Sequence, residues 1–123
     1  MATTIVKLTA FPEYLDAVRA VLGSIDLDPA SSDIAQRTVK ATQYFTRDDD
    51  GLTKAWHGRV WLNPPYAQPD IADFVAKLIT EVKTAHVIEA IMLTHNFTCT
   101  RWFHDVLAAA RAFLPDPWAH QVC

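Results

Sequence analysis

Arg59-Val60-Trp61-Leu62-Asn63-Pro64-Pro65-Tyr66, residues 59–66, is the stretch whose reading decides the fold. Its first half is a short apolar run containing a β-branched and an aromatic residue, the pattern of a buried strand. Its second half cannot prolong that strand. Two adjacent prolines remove two ladder donors and fix φ, so Asn63-Pro64-Pro65-Tyr66 must form a loop.

Working outward, Pro69 to Lys83 reads as a helix, with Ile71, Phe74, Val75, Leu78, Ile79 and Val82 on one face. Asp70 and Asp73 lie near its positive N-terminal end. His86 to Thr94 holds the continuous run Val87, Ile88, Ala90, Ile91, Met92 and Leu93, typical of a strand covered on both faces. Thr100 to Phe113 reads as a closing helix through Trp102, Phe103, Val106, Leu107 and Ala110.

Upstream, Pro12 to Leu22 has helical spacing and Gly23 follows as a stop. Ile25-Asp26-Leu27 is a short strand closed by Asp28-Pro29, and Ala30 to Lys40 is ambiguous, with room for a short helix. Gln43 to Thr46 is another short strand, ending in the acidic turn Asp48-Asp49-Asp50-Gly51. This is an α/β order with a mostly parallel sheet flanked by helices. Ligands of such sheets bind beyond the carboxyl ends of the strands. Two polar loops stand there, 28–31 and 63–66.

The 123 residues suit one domain, 1–123, and half of them are apolar, an ordinary globular composition. Only three glycines occur, none spaced as a GxG pair, which excludes the glycine-rich dinucleotide loop and the Walker loop. No apolar run approaches the roughly 20 residues of a membrane span, so no membrane association is expected. The net charge of −3 argues against a large basic surface for nucleic acid. Cys99 and Cys123 lack a CxxC spacing and are read as reduced thiols in a cytoplasmic setting. His95, Cys99 and His104 have no second pair of ligands elsewhere, so no metal site is expected.

The Asn side chain offers one carbonyl acceptor, and the prolines hold the Pro64 carbonyl rigidly. Two acceptors aimed at one point suit an amino group with two hydrogens. Accepting both draws the nitrogen towards tetrahedral geometry and directs its lone pair at an electrophile. Tyr66 adds a flat face for a base, a contact of about 1–3 kcal/mol. The set fits methyl transfer to an amino group by positioning and electrostatics. A rigid turn closing a strand would use the same four residues.

The chain resembles the phage-type DNA adenine (N-6) methyltransferases, which use S-adenosylmethionine. The matching segments are Phe-Pro-Glu-Tyr-Leu (11–15), Val-Leu-Gly-Ser-Ile-Asp-Leu-Asp-Pro-Ala-Ser-Ser (21–32) and Tyr-Phe-Thr-Arg-Asp-Asp-Asp-Gly-Leu (44–52). They continue with Trp56, Gly58 to Tyr66, Asn96-Phe97-Thr98 and Trp102-Phe103. The likeness spans about 11–112, and 113–123 is a divergent tail. It implies a Rossmann-like methyltransferase fold, shortened at both ends. It also implies DNA as partner and a cytoplasmic phage or prophage protein in a bacterial host. Asn63, Pro64, Pro65 and Tyr66 would form the target-adenine loop. Asp26, Asp28, Pro29, Ala30 and Ser31 would hold the cofactor, with Asp49 or Asp50 on its ribose.

Ser31-Ser32 stands where many amino-methyltransferases carry glycines. Lys7 to Pro12 replaces an aromatic segment that normally helps form the cofactor pocket. The shortened sheet leaves an edge that a homodimer would cover. Three readings therefore stay open: a DNA adenine methyltransferase, a methyltransferase acting on protein glutamine or an RNA amino group, and a non-catalytic relic or binding module. Trp61, Trp102 and Phe103 are expected in the core, and Trp56 and Trp118 partly exposed. Arg59, Arg101 and Lys54 are the basic residues best placed to meet phosphate, and Asn96 and Thr98 would line the same face as the 63–66 loop.

Overall fold

The strand read at 59–62 is the centre of the sheet. A computed structural model describes residues 2–7, 13–65, 67–94 and 112–114. In chain order the elements are β1 (Ala2–Lys7), α1 (Glu13–Leu22), β2 (Leu27–Asp28), α2 (Gln36–Val39) and β3 (Gln43–Tyr44). A 3-10 turn (Gly51–Thr53), β4 (Gly58–Leu62), α3 (Asp70–Lys83), β5 (Val87–Thr94) and β6 (Ala112–Leu114) follow. Among the described residues the strands form one sheet in the order β3-β2-β4-β5-β1-β6, and every pair is parallel. The Rossmann-like α/β expectation holds.

Around β4 and β5 both faces of the sheet are covered, as parallel strands require. Along β4 the pleat sends Val60 and Leu62 to one side and Trp61 to the other. On the first side α3 buries Ile71, Phe74, Val75, Leu78 and Val82 against Val60, Leu62, Ala90 and Met92. Each such side chain contributes about 1.5–3 kcal/mol when fully buried. On the second side α1 buries Leu15, Val18 and Leu22 against Trp61, Ile91 and Leu93. The register of β4 on β5 slips between Gly58 and Arg59, which pair with Val87 and Glu89. That extra residue is Ile88, which is exposed although the run around it is buried.

Three readings need correction. β1 was not expected from the sequence, although its β-branched run Thr3-Thr4-Ile5-Val6 carried the signal. Ala112 and Phe113, read as the end of a helix, lie in β6 beside Thr4 and Ile5. Pro115 biases the residue before it towards extended backbone, and β1 supplies the ladder. Trp56, expected to be partly exposed, is 1 % exposed. Its loop returns between β3 and β4, laying the ring on Phe74 with centroids 6.2 Å apart and placing the Lys77 ammonium 5.5 Å from it. Residues 100–111 of the expected last helix lie outside the described residues. So do Tyr66, His95, Asn96, Thr98, Cys99, Arg101, Trp102, Phe103, His104, Trp118 and Cys123.

The strand order sets where a ligand belongs. From β2 the chain runs outward to β3, whereas β4, on the other side of β2, leads on to β5. The order reverses between β2 and β4, and the crevice beyond their carboxyl ends is the switch point of the sheet.

Candidate functional site

Leu27 of β2 is in register with Val60 of β4. The 28–31 and 63–65 segments therefore leave neighbouring strands at the same edge. Sequence spacing alone could not bring them together. The loop after β3 is tied to the 28–31 loop, because Phe45 N–H donates to the Asp28 carbonyl at 3.0 Å and Ser31 N–H donates to the Phe45 carbonyl at 2.8 Å.

The two loops approach closely at Gly51. A Cβ there would stand 2.0 Å from the Pro29 carbonyl oxygen, so only glycine lets the two loops touch. Trp56 Nε1 donates to the Gly51 carbonyl at 2.8 Å and locks this contact onto the core. Pro29 is buried and Ala30 half-buried, forming the floor of the loop.

Asp28 is the buried polar residue of this edge, 2 % exposed at the end of β2. Its Oδ2 accepts a hydrogen bond from Gln36 Nε2 at 2.8 Å. Its Oδ1 is buried without a hydrogen-bond partner. Burial pushes the carboxyl up from 3.8 to about 6, while the Ser31 hydroxyl, the Gln36 amide and the Ala30 N–H pull it back down. A buried acceptor left open is costly, by about 1–3 kcal/mol, unless a ligand or water completes it.

Gln36 is the residue that sequence reasoning missed. Nε2 also donates to Ser31 Oγ at 2.8 Å, and Oε1 accepts from the Ala41 N–H at 2.8 Å. Nothing in the sequence marks it, because it lies in the ambiguous 30–40 stretch and acts only through the folded loop.

The remaining predicted positions separate. Asn63 is half-buried, Pro64 buried and Pro65 exposed. Among the described residues no hydrogen bond reaches the Asn63 side chain, which leaves its amide available. Asp49 lies in the loop after β3, at the same edge, where Oδ2 accepts from the Thr46 N–H at 2.8 Å and hydroxyl at 3.0 Å. Those bonds hold its carboxyl below the usual range. Asp50 caps the 3-10 turn through Leu52 N–H at 3.2 Å. Asp26 stands at the other end of β2, where Oδ2 accepts from the Arg59 N–H at 2.8 Å and Oδ1 from the Ser24 hydroxyl at 3.3 Å. A Cβ on Gly58, at φ 71°, would come within 2.5 Å of that carboxylate. Asp26 thus clamps β2 to the start of β4, and Arg59 goes with it, away from the carboxyl edge. No cluster of three or more potential metal ligands occurs among the described residues.

A parallel sheet whose switch point carries a buried acid on one strand and an Asn-Pro-Pro loop on the next defines a Rossmann-like α/β protein with its polar loops at the ligand-binding edge. The sequence model of the DNA N-6-adenine-methyltransferase (Dam) family matches residues 10–114, and the chain belongs to that family. It is also similar to a DNA N-6-adenine-methyltransferase of Escherichia phage T1, 36 % identical over 86 residues. That match covers 68 % of this chain and 33 % of the relative, so the chain spans about a third of the relative's length. No solved structure matches it significantly.

Proposed function

We propose that the chain transfers a methyl group from S-adenosylmethionine to the exocyclic amino group of adenine in DNA. The observation that carries this is the adjacency of the β2 and β4 loops at the switch point, within the family match. The family implies a methyl donor. The open buried acceptor at Asp28 Oδ1 fits a cofactor that brings N–H or O–H donors.

In this reading Asp28, Pro29, Ala30 and Ser31 hold the cofactor and Asp49 meets its ribose, while Asp26 acts by fixing β2 against β4. When bound, S-adenosylmethionine supplies an electrophilic methyl on a sulfonium. The Asn63 side-chain carbonyl and the Pro64 carbonyl accept the two hydrogens of the target amino group and aim its lone pair. Tyr66 stacks on an adenine flipped out of the duplex. No strong base is required, because positioning and oriented dipoles do the work. A bacterial host's cytoplasm and a homodimer through an outer sheet edge belong to the same reading. Among the described residues, β3 pairs only with β2. No described helix is long and apolar enough to cross a membrane.

The test is titration calorimetry with S-adenosylmethionine, followed by transfer of a labelled methyl group to adenine-containing DNA, with RNA and protein glutamine as parallel acceptors. The expected outcome is binding and label in adenine of DNA. In Asn63→Ala, transfer should fall at least about a hundredfold, the scale of losing an oriented polar group at a reacting centre, while cofactor affinity is kept. Unchanged turnover in that variant would sink the mechanism, and label only in RNA or protein would replace the substrate.

A further inference from the structure

The geometry points to Gln36 as the positioning residue of this site: its one amide holds Asp28 and Ser31 together and leaves Asp28 Oδ1 as the open acceptor for a donor of the bound cofactor. This rests on the reading that S-adenosylmethionine binds at the β2 loop.

A carboxylate with two equivalent oxygens can rotate to share its donors. Here Gln36 Nε2 sits 2.8 Å from both Asp28 Oδ2 and Ser31 Oγ, so each of its two hydrogens has a defined acceptor. The amide cannot turn over, because Oε1 is taken by the Ala41 N–H just beyond α2. The Lys40 backbone at φ 52° turns the chain there and brings that N–H into place. Arg19 of α1 holds the same end of α2 from outside, donating to the Thr38 and Val39 carbonyls, the latter at 2.7 Å. Gln36 is therefore fixed from three directions, and it passes that order to Asp28. With Oδ2 occupied, the open acceptor is a single defined oxygen, buried in a 2 % exposed side chain.

Gln36 is uncharged, and that choice matters. An acid in its place would confront the Asp28 carboxylate across a 2.8 Å contact and drive a proton onto the pair. The charged groups on the neighbouring described elements are committed or exposed apart from Arg59, which is half-buried on β4 with its Nε lacking a hydrogen-bond partner. Asp26 is held by Arg59 and Ser24, Asp33 by the Tyr44 hydroxyl at 2.6 Å, Asp49 by Thr46 and Asp50 by Leu52. Arg37 is exposed. Burial is the main influence on Asp28, opposed by the nearby polar groups of Ser31, Gln36 and Ala30, of which the Gln36 amide makes the close contact at 2.8 Å.

The experiment is calorimetric titration of the full chain with S-adenosylmethionine and with S-adenosylhomocysteine, from about pH 5 to about pH 8, with thermal unfolding measured alongside. Wild-type affinity should fall about tenfold as the pH drops one unit below the Asp28 midpoint. Gln36→Glu should move that midpoint upward by about one pH unit or more and weaken binding about tenfold at neutral pH. Gln36→Met, which keeps the length and removes the donor, should move it the same way by less. A merely structural Gln36 would lower the melting temperature and leave the midpoint in place, and that result overturns the proposal. A flat wild-type profile with binding intact overturns it without any variant. Wild-type protein that binds neither compound at any pH overturns the parent reading, and this one with it.

Discussion

Asp28 costs the folded state stability at neutral pH. Its carboxyl, raised from 3.8 to about 6 chiefly by burial, is harder to ionise in the native state than in the unfolded chain. The native state therefore binds its proton first as the pH falls. The destabilisation is fully present above the native value and is relieved as the pH drops through about 6 towards 3.8. Asp28→Asn should stabilise the ligand-free protein at neutral pH by up to about 3 kcal/mol, the free-energy equivalent of that shift, and the gain should fade in acid. Urea unfolding at neutral and acidic pH checks both signs. The same variant should lose cofactor affinity, since an amide offers a weaker acceptor and no charge. A stability gain coupled to a binding loss separates a functional acid from a structural one.

The elements around the site are held mainly by packing, with polar ties at their ends. α1 ends where Gly23 N–H donates to the Arg19 carbonyl at 2.8 Å, the stop that its sequence predicts. α3 ends differently. Thr84 N–H bonds to the Thr80 carbonyl at 3.0 Å, and the chain then turns through Ala85 at φ 65°, a left-handed position without glycine. Ala85→Gly should raise stability by about 1 kcal/mol, the strain of an L side chain in that region. An increase of a few degrees in melting temperature, with unchanged cofactor binding, is the expected readout. β2 has only two residues, too few to hold its place by ladder bonds alone. The Asp26 clamp on Arg59 N–H and the bonds from the loop after β3 supply the rest. Asp26 thus fixes the strand, while Asp28 at its end keeps one buried carboxylate oxygen without a hydrogen-bond partner.

At the scale of the molecule, the site exists only when the sheet is assembled, because its parts come from loops after three strands. A ligand there binds the folded state alone and should raise stability by about 2.7 kcal/mol at a hundredfold excess over its dissociation constant. Thermal unfolding with S-adenosylhomocysteine should show that gain at neutral pH, and it should shrink below about pH 6 as Asp28 takes up its proton. No ligand-dependent shift at neutral pH would remove the β2 loop as a cofactor site. Much of this design was legible in the residues. The prolines after Trp61-Leu62 end β4 wherever it lies, and the helical spacing of Ile71, Phe74, Val75 and Leu78 defines the buried face of α3. Local sterics and hydrophobic period act within a few residues, so the sequence by itself determined where the strands stop, which helix faces turn inward and which polar loops follow. Only the tertiary structure decided that β2 and β4 are neighbours and that Trp56 turns inward. It also decided that Gln36 reaches Asp28, and that Asp26 is a clamp while Asp28 is an open acid. Those outcomes depend on strand order and on contacts between distant segments, which no local pattern encodes.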